Sequence, residues 1–331
     1  MMVSHLAGIW FFILLFILWV YVVLDGFDLG VGILSLFLRK EAHRATFMRS
    51  IGSVWHANQT WLVVLGGVLF GAFPLVYGLV LSALYIPIGA MLLGFILRGV
   101  SIEFSDAADC KVVWQKLFGL GSLLAALAHG FVLGSLLLGL KMKGDRFIGS
   151  VWDWLNPFAS LVALDLVFGY SVLGATYLII KSDGNIQLKA YRMARITLVL
   201  LILTTSAFVL WAAILHPVLL RRWFSWPGFF VTAFPLLLVV FAIFGLFHSL
   251  MVKGQYKPFV LSAVVFGSLI LAFAAMLYPT VIPPSITLAK ATASPLTLKA
   301  MLVGIGLVLP IMIIYNAYHY WVFRGKVNAD Q

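Results

Sequence analysis

Charge and cysteine are what this sequence has least of. Only 10% of its 331 residues are Asp, Glu, Lys or Arg, while 63% are hydrophobic and the mean hydropathy is +1.10. A chain of this size with so little polar surface cannot cover a soluble globule, so its solvent is lipid. The single cysteine, Cys110, excludes an internal disulfide framework and any CxxC metal or haem-attachment motif. No P-loop, Rossmann fingerprint, HExxH or nucleophile elbow occurs in a matching context. Dense basic blocks are missing as well. The net charge of +11 is dispersed through connections between apolar runs, which argues for membrane topology and against a nucleic-acid partner. The first apolar run has no Lys or Arg before it and is too long for a signal-peptide core, so it is read as a retained helix.

What is present in quantity is long apolar runs. Backbone groups in hydrocarbon must be satisfied within their own segment, and a spanning helix needs ~20 mostly apolar residues. Nine such runs are read, at 8–37, 53–72, 76–98, 117–140, 158–180, 194–216, 229–251, 258–278 and 298–322. The alternation expected of barrel strands is not seen. The expectation is therefore an all-α, polytopic transmembrane helical bundle of about nine transmembrane helices. Residues 1–331 would form a single integral-membrane domain with no soluble domain. The short connection around Pro74 makes the second and third spans an antiparallel hairpin.

An odd number of spans puts the termini on opposite sides, and the basic residues say which. Lys141, Lys143, Arg146, Arg221, Arg222, Lys290 and Lys299 lie on one side, and the other 15 of the 22 Lys and Arg residues lie opposite. By the positive-inside rule the larger set is cytoplasmic, with the N-terminus outside and the C-terminus inside. Trp152, Trp154, Trp223 and Trp226 then fall in or near external connections, where an aromatic belt accounts for them.

Ionisable residues inside a span are costly, so each is a functional candidate unless a partner or a water cavity explains it. The first span carries Asp25 and Asp28 in Asp25-Gly26-Phe27-Asp28-Leu29-Gly30-Val31-Gly32. Three residues apart, the carboxylates share a helix face, and the glycines admit a close neighbour. The second span opens as Trp55-His56-Ala57-Asn58-Gln59-Thr60-Trp61, dense in polar groups at its cytoplasmic end. Helices joined by a short connection are usually neighbours, so His56 is expected between the cytoplasm and the two aspartates, the order a proton relay needs. An interhelical hydrogen-bond network that only holds the bundle together is the equal alternative. Arg98, with Glu103, Asp106 and Asp109 beyond it, reads as an interfacial charge cluster. His129 and Asp165 read as isolated intramembrane groups serving packing or a water-filled pocket. His5, His43, His216, His248 and His319 sit near span ends, where hydration is the default. No arrangement of histidines argues for haem ligation. From the residues alone, a proton-coupled transporter fits as well as any other polytopic protein.

The run from Asp25 to Gly32 resembles the first-helix signature of cytochrome bd oxidase subunit II. The resemblance continues through Trp55-His56-Ala57-Asn58-Gln59-Thr60-Trp61-Leu62, Gly66-Gly67 and the Phe73-Pro74 turn. Further matches are Leu155-Asn156-Pro157-Phe158, Gly174-Ala175-Thr176-Tyr177-Leu178 and Ala291-Thr292-Ala293-Ser294-Pro295-Leu296-Thr297-Leu298. The resemblance implies a chain in the prokaryotic cytoplasmic (inner) membrane that itself holds no haem and no metal and supplies no catalytic residue. Its partner, the haem-bearing oxidase subunit I, would carry haems b558, b595 and d, oxidise quinol and reduce oxygen to water. A small accessory subunit and a bound lipid or quinone are compatible with it. The implied proton-pathway candidates are Asp25, Asp28, His56, Arg98 and Glu103. At His56 the sequence departs from the family pattern, which has Asp or Glu there; an imidazole, with an ordinary pKa of ~6.5, can still exchange protons near neutrality.

Overall fold

The computed structural model describes residues 2–105, 107–215, 228–283 and 286–327. Twelve helices are found among them: α1 (Met2–Ser35), α2 (Glu41–Gly52), α3 (Trp55–Ala72), α4 (Pro74–Ala83), α5 (Tyr85–Phe104), α6 (Lys111–Leu138), α7 (Pro157–Lys181), α8 (Gly184–Leu215), α9 (Gly228–Met251), α10 (Lys257–Leu277), α11 (Leu288–Ala291) and α12 (Pro295–Val322). Two short antiparallel hairpins join them, β1 (Met142–Lys143) with β2 (Arg146–Phe147) and β3 (Thr280–Ile282) with β4 (Ile286–Thr287). Eight helices among the described residues are long and apolar enough to cross a membrane, and α3 with α4 makes a ninth if that bent pair counts as one span.

Local chemistry sets several of the ends. Asn156 caps α7 by accepting a hydrogen bond from the Ala159 N–H at 2.8 Å, and Pro157 follows at a position that needs no N–H. Ser294 and Pro295 open α12 in the same way. Pro74 opens α4, and there the chain bends by 116°, where the sequence placed its hairpin turn. The third span read at 76–98 is divided by Leu84 into α4 and α5, and α5 packs chiefly on α6. The segment read as a plain connection before the second span contains α2. That helix is too polar to span, but it turns Phe47, Met48 and Ile51 inward against α1, α6 and α7.

Between lipid-facing helices the hydrophobic effect gives little drive, because lipid tails are as apolar as Leu, and close packing of small residues takes over. Gly30 of α1 lies against Gly174 and the backbone of Tyr170 in α7, so closely that a Cβ on either glycine would meet backbone atoms. Gly94 of α5 and Gly121 of α6 pack in the same manner. The helices α1, α6 and α7 thus form the centre, with α7 the most enclosed span and α12 the least. Leu296, Val303, Leu307 and Ile314 on α12 face outward. A cavity of about 290 Å³ opens between the α4–α5 junction, the end of α6 and the 152–156 segment.

Candidate functional site

Asp25 and Asp28 stand on the enclosed face of α1, both fully buried. Two other helices deliver polar groups to them, and two more extend the network. Arg98 of α5, itself 0% exposed, brings Nη2 to 2.7 Å from Asp25 Oδ1. The approach is that of an ion pair, with the N–H groups not aligned as a hydrogen bond. Asn58 of α3 donates from Nδ2 to Asp28 Oδ2 at 2.9 Å, and its own Oδ1 accepts from the Tyr320 hydroxyl of α12 at 2.6 Å. One turn along α1 from Asp25, Tyr21 meets His129 of α6, hydroxyl to Nε2, at 2.7 Å. Phe95 lies under the Arg98 guanidinium at 5.2 Å, and Phe27 stacks on Tyr177 with centroids 4.0 Å apart, walling the site with rings.

The stoichiometry is two carboxyl groups to one guanidinium. Arg98 remains protonated, so the charges balance when the two acids share a single proton. The group thus holds one carboxyl more than it has fixed positive charge. Asp25 Oδ2, Asp28 Oδ1, and Arg98 Nε and Nη1 have no hydrogen-bond partner among the described residues.

Two expectations are corrected here. Arg98 is not part of an interfacial cluster: α5 continues to Phe104, and α1 and α6 close around its side chain, which pairs with Asp25. His56 does not stand between the inner end and the aspartates. It stacks on Trp55 and faces Glu103, Nε2 to Oε1 at 3.4 Å, with side chains 71% and 59% exposed. The reason is helix geometry. Residues two apart point to different faces, so with Asn58 turned to Asp28, His56 must turn away. Asp109 is exposed, and Asp106 lies outside the described residues.

His129 and Asp165 are intramembrane, as read, but neither is isolated. His129 belongs to the network through Tyr21. Asp165 Oδ1 accepts from the hydroxyls of Thr204 and Thr205, each at 2.7 Å, tying α7 to α8. His319 Nε2 lies 2.5 Å from Ser53 O, and His43 Nδ1 lies 3.0 Å from Lys189 Nζ. His5 and His248 are exposed, while His216, Trp223 and Trp226 fall outside the described residues. Sequence reasoning missed Tyr21 and Tyr320. Tyr21, four residues before Asp25 on the same helix face, was detectable from its spacing; Tyr320 was not, since only the packing of α12 on α3 brings it in.

Residues 6–323 match the family described as cytochrome bd terminal oxidase subunit II. The chain belongs to that family. It is similar to the cytochrome bd-I ubiquinol oxidase subunit 2 of Escherichia coli (strain K12), 27% identical over 365 aligned positions that cover 98% of this chain and 96% of the relative. The cytochrome bd ubiquinol oxidase subunit 2 of Bacillus subtilis (strain 168) is also 27% identical, with 99% and 98% covered. In three dimensions it resembles a chain of the bd oxidase from Geobacillus thermodenitrificans, with a TM-score of 0.75 at 19% identity over 96% of this chain and 99% of that one. This likeness supports the fold. The subunit II chain is thus a multi-pass protein of the inner membrane and a component of a respiratory terminal oxidase.

Proposed function

We propose that this chain is the haem-free subunit of a quinol-oxidising, oxygen-reducing complex, a single integral-membrane domain that supports a haem-bearing subunit I and routes protons from the cytoplasm towards the oxygen-reducing site. The carrying observation is the buried group of Asp25, Asp28 and Arg98, which holds one acid more than it has base. Ionisable groups in a membrane interior are costly and mark functional sites, proton relays among them. Arg98 acts as the fixed counter-charge and Asn58 positions Asp28. His56 and Glu103 form an exposed pair at the inner mouth, in a protein oriented by its basic bias with the C-terminus inside.

Four of the seven histidines meet groups of this chain. Nε2 of His129 is held by Tyr21, His319 meets a backbone carbonyl, His43 meets Lys189 and His56 faces Glu103. The haems b558, b595 and d are placed in subunit I.

The alternative favoured by one observation, the Asp25–Arg98 ion pair, is that the network only holds α1 to α5. The two readings part on Asp25→Asn, which keeps shape and an acceptor for Arg98 but removes the exchangeable proton. Quinol-driven oxygen consumption per haem d, measured against pH in complexes of matched haem content, should fall in this variant. A variant with wild-type turnover and reduced thermal stability would leave only the structural role.

A further inference from the structure

The least enclosed span is tied down at its ends. Only Leu298 and Asn316 of the 28 residues of α12 are buried, so packing within this chain does little to fix the helix. Near its first turn the buried Trp10 Nε1 donates to Leu298 O at 3.1 Å. At the other end the chain leaves α12 as a non-helical segment, 324–327, that lies against the end of α7. There Lys181, the last residue of α7 and only 6% exposed, donates from Nζ to Phe323 O and, at 3.1 Å, to Gly325 O. The bond is returned: the Val327 N–H donates to Lys181 O at 2.8 Å. We infer that this segment is a strap that keeps the last turn of α12 wound, and that Lys181 is the positioning residue that holds the Tyr320 hydroxyl on Asn58. Its consequence for turnover rests on the proposed routing through Asp25 and Asp28.

Two helix ends satisfy each other in this arrangement. The last carbonyls of a helix have no partner within it and carry the negative end of its dipole, so a buried ammonium is well placed among them. The carboxylate two residues on, Asp183, is taken by Lys326 at 2.6 Å. That pair is 55% and 34% exposed and holds the strap weakly. Lys181 is different, because pulling the carbonyls off an enclosed ammonium strands its charge. Phe323 stands three residues beyond Tyr320, ~4.5 Å along the helix axis, so its carbonyl and the Tyr320 hydroxyl belong to one turn. Tyr320 donates to Asn58 Oδ1 at 2.6 Å, and Asn58 donates to Asp28 Oδ2 at 2.9 Å. Fraying of that turn would take the hydroxyl away and leave the Asn58 oxygen unsatisfied next to Asp28. His319, in the same turn, meets Ser53 O at 2.5 Å and is the competing anchor.

The test is hydrogen exchange in the assembled oxidase, read at the amides of 319–323, together with oxygen consumption per haem d against pH. Lys181→Met keeps most of the side chain and removes its donors. Ending the chain at Phe323 removes the rest of the strap and leaves α7 untouched, which answers the question even where Lys181→Met does not assemble. Both should speed exchange by at least about tenfold, as loss of one hydrogen bond to a charged donor would. Lys181→Arg should recover part of the protection, and Asp183→Asn should leave it unchanged. Turnover in Lys181→Met should follow the pH profile of Tyr320→Phe, and the double variant should be no slower than the slower single. Unchanged exchange in both strap variants, or a rise of the same size in Asp183→Asn or His319→Ala, would overturn the inference. Faster exchange with a pH profile unlike that of Tyr320→Phe would overturn the positioning role. Wild-type turnover in Asp25→Asn would remove the routing and leave the exchange result, and so the strap, standing.

Discussion

The two single substitutions that break the Asp25–Arg98 pair should together cost more than removing the pair whole. Both side chains are fully buried, with Nη2 and Oδ1 2.7 Å apart. Removing one partner of a buried ion pair strands the other, at a loss of about 3–5 kcal/mol. The two single substitutions should differ in kind. In Asp25→Asn the guanidinium stays charged, because it cannot deprotonate, and Asp28 is left as its counter-ion; the loss should sit near the lower end of that range. In Arg98→Met two carboxyl groups face each other with no cation, and they can escape only by taking up protons, so this loss should shrink as the pH falls. Asp25→Asn with Arg98→Met removes both charges together and should recover about 2 kcal/mol relative to the sum of the singles. The assay is thermal unfolding of the purified complex at two pH values, followed through the haem absorbance of the complex. Losses additive to within about 0.5 kcal/mol would refute the coupling and with it the claim that these side chains form one unit.

Three further outcomes follow from the packing and the surface. Gly30→Ala places a methyl group against the Tyr170 backbone and should cost about 1–3 kcal/mol of stability, whereas Gly66→Ala, with nothing within 4 Å, should be silent; equal yields of assembled complex would contradict the α1–α7 contact. His56→Ala should change stability by less than about 1 kcal/mol, as for any exposed pair, and lower turnover less than Asp25→Asn does; a larger loss of turnover would move the relay to the surface. His43, on α2 between α1 and α3, has its pKa lowered by partial burial and by Lys189 and Lys40. The unfolded chain therefore binds the proton more readily, so stability is held above about pH 6.5 and lost as the pH falls through that value. Lys189→Ala should blunt that acid-side loss in a melting series, and no change would discount the contact.

The parts of the site legible in the sequence were those carried by one helix. Asp25, Asp28 and the glycines around them stand out within an apolar run, and their i, i+3 and i, i+4 spacing fixes the face they share. Spans were legible because hydropathy needs no tertiary knowledge, although α2, amphipathic and short, passed as a connection. Arg98 was misplaced because the acidic residues after it suggested a boundary that α5 overruns by six residues, to Phe104. His56 was misplaced because density of polar residues was read without their direction. Had Asn58 and His56 been weighed as alternatives on opposite faces, only one could have reached Asp28. His129 and Tyr320 lie more than a hundred residues from the groups they bond, and no spacing rule connects them.

The most direct measurement of the central claim is proton uptake from the cytoplasmic side during turnover. The oxidase would be reconstituted in vesicles with that side facing a trapped pH dye, and alkalinisation would be recorded per oxygen consumed and per haem d. The account predicts slow alkalinisation in Asp25→Asn with an intact haem spectrum, and nearly normal alkalinisation in His56→Ala. Wild-type uptake in Asp25→Asn at matched haem content would contradict it.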